Sequence, residues 1–185
     1  NGLIYNNTID ETFTTYGSES TIDILRGDNN NISSNNLTTK AYYNIIVSGF
    51  GASSSNNTIE NNFIYSTATD SIGISMASAN YNTITNNNIN VSSTTGGLRE
   101  GIKLSSANFI TISKNIIFAG GANAGNGIHL TSSSNNTIRD QNITSTGTGL
   151  GGGYDVKLDT TSLNNTFLNV SYNSASRESV EAGSE

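Results

Sequence analysis

Three basic side chains occupy the same position in three similar segments of the chain. Each segment reads Ile-x-Leu or Val-x-Leu, and the central residue is Lys103, His129 or Lys157. Apolar residues at every second position are typical of a strand with one buried face, so the central side chains should point outward together. A lysine or histidine in such a position can act as a general base. We expect the carboxylates of Glu100 and Asp155 near these basic side chains. The alternative to a catalytic role is that these residues form a solvated strand face of alternating charge.

Residue types that bind metals are few and scattered in this chain. Copper would need clustered Cys, Met or His ligands, but there is no cysteine, and the chain has one methionine and one histidine. Calcium would need a cluster of carboxylates, and the candidates are Asp10, Glu11, Asp23 and Asp28. We therefore predict no metal site and no cofactor.

Asparagines in Asn-x-Ser/Thr sequons are candidates for a second kind of site, namely N-glycosylation. They are Asn6, Asn31, Asn36, Asn56, Asn90, Asn135, Asn142, Asn164 and Asn169. The same residues favour turns, so a repeat containing Asn-Asn-Thr would generate sequons for structural reasons alone.

The composition excludes several classes of function. Only 12% of the residues are charged, the formal net charge is −6, and Lys and Arg together number 8, so no basic stripe is available to bind nucleic acid. No apolar run approaches the roughly 20 residues needed to cross a bilayer. Because the first residue is Asn1 rather than methionine, we expect a processed or excised piece.

The tetrapeptide Asn-Asn-Thr-Ile recurs along the chain. It ends at Ile9, Ile59 and Ile138, and its variants end at Ile32, Ile84, Ile112 and Phe167. These anchors are 23 to 29 residues apart, which suits a coil of three short strands and their turns.

Alignment on the anchors brings further residues into columns. Three residues after the anchor stand amides: Asn35, Asn62, Asn87, Asn115 and Gln141. Asparagine tolerates left-handed backbone angles, and its side chain can bond the equivalent amide one coil away, so we predict an asparagine ladder. A glycine precedes three Ile-x-Leu strands, at Gly73, Gly101 and Gly127, and predicts a tight bend where backbones approach closely.

These columns predict an all-β fold, a right-handed parallel β-helix. It should be a single-stranded solenoid of about seven coils with three short strands per coil. The isoleucines of the Ile-x-Leu strands should stack inside, including Ile102 and Ile128. We assign residues 1–172 to the repeats and residues 173–185 to a polar tail or a linker to a missing domain.

The cycle of Asn-Asn-Thr-Ile, Asn-x-Ile and Gly-Ile-x-Leu resembles the repeats of the NosD-like, carbohydrate-binding and sugar-hydrolase group of β-helices. That group includes Asn-rich surface-layer-associated proteins of methanogenic archaea. The resemblance covers about residues 1–172 and implies the fold. The group holds lyases, epimerases, glycosidases, a periplasmic copper-site maturation factor and many non-catalytic surface proteins, so it does not select one activity.

Two functions remain open after these observations. The first is a non-catalytic extracellular or cell-surface structural or adhesion module, with glycosylation and carbohydrate binding left open. Its partners would be other copies, other surface proteins or a polysaccharide, without nucleic acid and without membrane insertion of this segment. The second is a polysaccharide lyase or epimerase acting on uronic-acid polymers, in which Lys103, His129 and Lys157 would supply the base, as the resemblance implies for lyases of this fold.

Overall fold

Three parallel β-sheets form the protein in the computed structural model, which describes residues 1–10, 19–52, 54–94, 97–121, 125–146, 153–173 and 178–180. Successive strands enter the three sheets in turn, and each strand pairs with the strand one coil away. The chain therefore winds as a parallel β-solenoid with three short strands per coil, as the repeat predicts.

Each sheet contains seven strands among the described residues. The first sheet consists of β1 (Leu3–Tyr5), β4 (Asn31–Ser33), β7 (Thr58–Glu60), β10 (Thr83–Thr85), β13 (Thr111–Ser113), β16 (Thr137–Arg139) and β19 (Thr166–Leu168). The second consists of β2 (Thr8–Asp10), β5 (Asn36–Thr39), β8 (Phe63–Ser66), β11 (Asn88–Ser93), β14 (Ile116–Gly121), β17 (Asn142–Thr146) and β20 (Ser171–Tyr172). The third consists of β3 (Ser20–Leu25), β6 (Tyr43–Ser48), β9 (Ser71–Ala77), β12 (Arg99–Ser105), β15 (Gly125–Thr131), β18 (Val156–Leu158) and β21 (Glu178–Val180).

Apolar side chains from all three sheets meet inside the solenoid. Ile102 and Ile128 are fully buried, as predicted, and they stack in register between Ile74 and Val156. Five anchor isoleucines of the first sheet are equally buried, namely Ile32, Ile59, Ile84, Ile112 and Ile138. Since apolar burial is the main favourable term in folding, these continuous columns hold the coils together.

The core is less enclosed at the two ends of the described solenoid. Ile4 and Ile9 at one end, and Phe167 and Tyr172 at the other, are only half-buried. About five turns therefore have a fully enclosed core, and the predicted count of about seven coils is slightly too high. The backbone of β21 lies within the predicted tail and pairs with β18; the boundary at residue 172 stays a prediction.

The structure corrects the register of the first coil. Ile4, not Ile9, pairs with the anchor Ile32, whereas Ile9 pairs with Leu37 in the second sheet. The turns that lead into the first and the second sheet share the same local sequence, which is an asparagine pair followed by Thr-Ile or a similar dipeptide. The Asn6 to Ile9 segment therefore matches the anchor motif but belongs to the other sheet. With Ile4 as anchor, the period narrows to 25 to 29 residues.

The predicted amide ladder is present at the turn between the first and second sheets. Asn87 illustrates its chemistry: the Nδ2 of Asn87 donates to Asn115 Oδ1 and to the carbonyl of Ile59, both at 3.0 Å. Its own Oδ1 accepts from the main-chain N–H and the Nδ2 of Asn62. The buried amides thus satisfy one another from coil to coil, as buried polar groups must. The ladder contains Asn7, Asn35, Asn62, Asn87, Asn115 and Gln141.

The left-handed backbone and the amide bond belong to neighbouring positions rather than to one. The residue before each rung has a φ of 54° to 57°, and these residues are Asn6, Ser34, Asn61, Asn86, Lys114 and Asp140. The turn therefore needs a residue that tolerates the left-handed region, followed by a buried amide.

A second amide ladder, which the sequence analysis missed, lies at the turn into the first sheet. It contains Asn30, Asn57 and Asn82, and then Asn136 and Asn165. Ile110 occupies the intervening position, where only its main-chain N–H reaches Asn136 Oδ1, at 2.8 Å. The signal that could have revealed this ladder is the second asparagine of Asn-Asn-Thr-Ile.

The three predicted glycines lie within strands and point inward. A Cβ on Gly101 would stand 2.3 Å from Ile117 Cγ2 and 2.6 Å from the carbonyl oxygen of Gly127. Close approach therefore explains the glycine, as predicted, but the residue is inside β12 and not at a tight bend. Because both Gly101 and Ile102 face inward, strict alternation is broken there, and Glu100 shares the outer face with Lys103.

Candidate functional site

The outer face of the third sheet brings the predicted basic residues together. Lys103 pairs in register with Ser75 on one side and with His129 on the other, and His129 pairs with Lys157. Adjacent strands lie about 4.8 Å apart, so these side chains form a continuous file across four strands. The predicted file is confirmed.

Glu100 is the centre of this file and is almost fully covered by its neighbours. Its side chain is 4% exposed; Oε2 lies 3.0 Å from Lys103 Nζ, and Oε1 bonds His129 Nδ1. On the other side of the ring, His129 Nε2 lies 3.4 Å from Thr131 Oγ1. We call Glu100, Lys103 and His129 the Glu100 cluster.

Electrostatics in the cluster favour the charged carboxylate and the charged ammonium. Burial by itself would raise the pKa of Glu100, but the hydrogen bond and charge of His129, together with Lys103, lower it below its usual range. Burial would likewise lower the pKa of Lys103, but Glu100 overcomes this and raises it. A lysine accepts a proton only as the neutral amine, so the pairing, which favours the charged ammonium, makes Lys103 a weak candidate base.

Two tyrosines stand beside the cluster. The rings of Tyr42 and Tyr43 touch edge to face, with centroids 4.6 Å apart. Burial raises the pKa of Tyr42, and the neighbouring Tyr43 adds to this effect. The strand register places Tyr43 opposite Ile72, which in turn lies opposite Glu100. The combined surface offers aromatic faces next to paired charges.

Asp155 does not join the cluster. It is fully buried, and its Oδ1 accepts a hydrogen bond from the main-chain N–H of Ser145 at 2.8 Å. Lys157 lies beside His129 in the register and makes no ion pair with any residue that the structure describes. Of the two predicted acidic neighbours, only Glu100 is part of the site.

Arg99 is a buried charge that the sequence analysis did not single out. It is fully buried, and its Nη1 donates to the carbonyl of Gly97 at 2.9 Å. Burial lowers the pKa of Arg99, and Asp70 opposes that effect. Leu98 N–H also donates to Asp70 Oδ1, at 2.7 Å. Arg99 and Asp70 therefore position the segment that leads into β12.

The sequon asparagines differ in accessibility. Asn31 and Asn90 are half-buried, and the Oδ1 atom of each is covered without a hydrogen-bond partner among the described residues. The other seven are exposed: Asn6, Asn36, Asn56, Asn135, Asn142, Asn164 and Asn169. Five of the seven have a left-handed backbone at a turn, namely Asn6, Asn56, Asn135, Asn164 and Asn169.

The candidate metal ligands do not converge. No group of three or more His, Asp or Glu among the described residues could hold a metal ion. Met76 is buried in the core, and Asp28 Oδ1 accepts a hydrogen bond from Ser55 N–H at 2.6 Å. Asp10 and Asp23 are exposed on different sheets, and Glu11 lies outside the described residues.

Comparison with known proteins identifies the family. A family model described as a right handed beta helix region matches residues 1–171. The chain belongs to this β-helix family. A search of curated proteins finds no match to this β-helix. Across the part of the chain that the structure describes, no helix is long and apolar enough to cross a membrane.

One solved structure that resembles the β-helix is that of QnrB1, a plasmid-mediated fluoroquinolone resistance protein. It is 12% identical, and the match covers 91% of this chain and 89% of that one, with a TM-score of 0.21. With so low an identity and TM-score, this likeness does not indicate the function of this β-helix.

Proposed function

We propose that this β-helix is a non-catalytic structural or adhesion module of an extracellular or cell-surface protein. The observation that carries the proposal is the Glu100 cluster, in which both central basic residues are paired with one covered carboxylate. Such a cluster stabilises a surface, but it leaves Lys103 charged and unsuited to removing a proton from a sugar. The amide ladders support the same role, because they restrain each coil on the next.

The proposed location and partners of the module rest on the sequence resemblance. The Asn-rich cycle resembles surface-layer-associated proteins of methanogenic archaea, which favours display outside the cell and partners such as other copies, other surface proteins or a polysaccharide. Detection of the native protein on intact cells, by antibody labelling and by its removal with external protease, tests the location. A protease-resistant cytoplasmic pool alone would contradict it.

Glycosylation is proposed at the exposed turn sequons, which are Asn6, Asn56, Asn135, Asn164 and Asn169. Exposure and turn position suit an acceptor asparagine. Intact mass of the native protein before and after chemical deglycosylation tests this assignment, and peptide mapping locates each glycan. An unmodified mass would end it.

The alternative function is a polysaccharide lyase or epimerase, favoured by the file of Lys103, His129 and Lys157 with tyrosines beside it. The two functions separate in one assay, in which the protein is incubated with a panel of uronic-acid polymers and unsaturated product is followed by ultraviolet absorbance. We expect no product. Product that disappears in Lys103→Ala, and persists in the control Lys40→Ala on an exposed position, would overturn the non-catalytic proposal.

A further inference from the structure

The outer face of the second sheet carries large apolar side chains in two separate pairs, each with one exposed and one half-buried member. Phe63 and Tyr65 project from β8, and Ile116 and Phe118 project from β14. Phe63 is 44% exposed and Ile116 is 55% exposed. Large apolar groups arranged together on a strand face mark an interaction surface more often than single exposed ones do.

Amides separate the two apolar pairs. The intervening strand, β11, projects Asn88 between Phe63 and Ile116, and Asn90 between Tyr65 and Phe118. The face is therefore apolar, then amide, then apolar along the solenoid axis. We call the outer surface of β5, β8, β11, β14 and β17 the apolar-amide face.

The flanking strands extend this pattern symmetrically. Beyond β8, β5 projects Asn36 and Thr38, and beyond β14, β17 projects Asn142 and Thr144. The same two residue types thus stand in the same order at both margins. The outward side chains named here are consequently palindromic about β11 in chemical character: amide and hydroxyl, then apolar, then amide, then apolar, then amide and hydroxyl.

Charge also distinguishes this face. None of the outward side chains of its five strands is charged, although the formal net charge of the protein is −6. The outer face of the third sheet, in contrast, contains the Glu100 cluster. Two acidic molecules can approach each other through the neutral face with the least repulsion.

We infer that two copies of this chain associate through the apolar-amide face, with their solenoid axes antiparallel. A two-fold axis that runs along β11 places β8 of one copy over β14 of the other, and β5 over β17. Apolar pairs then meet apolar pairs, and the asparagines of β11 meet their own counterparts. This self-complementarity is what an isologous interface requires.

The size of the face sets the strength of the association. Five strands about 4.8 Å apart and roughly five residues long give a footprint of about 400 Å² per copy, below the roughly 800 Å² per partner of a standard interface. We therefore expect a weak dimer, with a dissociation constant of roughly 10⁻⁴ M. Such a contact would be effective where many copies are held close together.

Sedimentation equilibrium of the full chain, up to about 1 mM, tests the inference. The average mass should rise from 19.4 kDa towards twice that value. Phe63→Lys and Ile116→Glu should each remain monomeric over the same range, with unchanged thermal unfolding because both positions are exposed. The matched control is Leu168→Lys, at an equally exposed position on the first sheet (53%), and it should dimerise like the parent.

Mixing the two charge variants tests the antiparallel arrangement. In that arrangement the lysine introduced at position 63 faces the glutamate introduced at position 116 of the other copy, while the remaining Phe63 and Ile116 pack together. The mixture should therefore recover dimer, and added salt should weaken it. Recovery would fail if the axes were parallel, because position 63 would then face position 65.

Three results would overturn the inference. The first is a parent that stays monomeric at 1 mM. The second is native protein that carries glycans at Asn36 or Asn142, because they would cover the face. The third is a monomeric parent whose binding to a soluble oligosaccharide is lost in Phe63→Lys, which would assign the face to a glycan. None of these results depends on whether the module is catalytic.

Discussion

Ile102 and Lys103 are neighbours on β12, yet they belong to columns of opposite character. The column of Ile102 is aliphatic in every paired strand from β3 to β18, whereas that of Lys103 changes from Ile46 to Ser75, then to His129 and Lys157. An inward side chain always meets the same kind of neighbours one coil away, so the stack selects its type. An outward side chain meets water on one side and is free to vary. Stability should therefore depend on the interior, and interactions with other molecules on the outer faces.

The largest effect is expected from a charge placed inside. Ile102→Asp buries a carboxylate that has no partner, and we expect loss of more than about 4 kcal/mol, enough to abolish cooperative unfolding. Circular dichroism during heating measures this. Ser105→Asp, at an outward position on the same strand, should melt within a few degrees of the parent. If the two variants melted alike, the distinction between interior and exterior would fail.

The second-largest loss of stability is expected from a change in the amide ladder. Asn87→Ala removes an acceptor that Asn62 uses twice in a buried site. The main-chain N–H of Asn62 is then left unpaired, and its Nδ2 keeps only the carbonyl of Ile32 as acceptor. The expected loss is about 2 to 4 kcal/mol in the free energy of unfolding. Urea titration gives the value. Asn88→Ala, on the exposed face of β11, is the control and should change it by less than about 0.5 kcal/mol.

A single methyl group tests the close approach of two sheets. In Gly101→Ala the new Cβ would overlap with Ile117 and with a carbonyl oxygen of the next coil. The second and third sheets must therefore move apart at this point. We expect a loss of about 1 to 3 kcal/mol in the free energy of unfolding. Ser105→Ala on the same strand provides the reference in the same titration. Equal stability of the two variants would show that the interior is looser than the contacts indicate.

The smallest expected effect is a pH dependence of stability, and it arises from the outer face rather than from the interior. The folded-state pKa of Glu100 is lowered, so its stabilising contribution is present above the ordinary value of 4.5 and is lost as the pH falls through the folded value. At pH 7, Glu100→Gln should cost about 1 to 2 kcal/mol. The difference from the parent should shrink below about pH 4.5, as calorimetry between pH 3 and 8 would show. Asp23→Asn is the exposed control; a Glu100→Gln deficit that stayed constant down to pH 3 would contradict the ion-paired cluster.

The sequence predicts the interior better than it predicts the site. Repetition reveals the buried columns and the first amide ladder, because the same physical requirement recurs in every coil. It misplaces Ile9, because the turns into two different sheets use the same asparagine pair. The ladder interrupted at Ile110 was missed for a related reason, since its amides lie within the anchor motif itself.

The site depends on local geometry that a repeat does not encode. The file of Lys103, His129 and Lys157 follows from strand alternation and is confirmed. The inward position of Gly101, which brings Glu100 onto the outer face, breaks that alternation. Asp155 shows the opposite error: it directly precedes Val156, so it occupies the inward column of Gly101 and Gly127, and its side chain points inward to Ser145. One added inward residue per coil thus decides which carboxylate reaches the surface.

The direction of the hydrogen bonds between coils has a mechanical consequence. These bonds run along the solenoid axis, so a force that pulls the two ends apart loads the coils in series and detaches them one at a time. Each detached coil of 25 to 29 residues would release about 90 Å of extended chain. Force spectroscopy on single molecules should record a staircase of similar steps rather than one rupture, and a single all-or-none event would contradict it. A protein built this way extends gradually under force and dissipates mechanical energy.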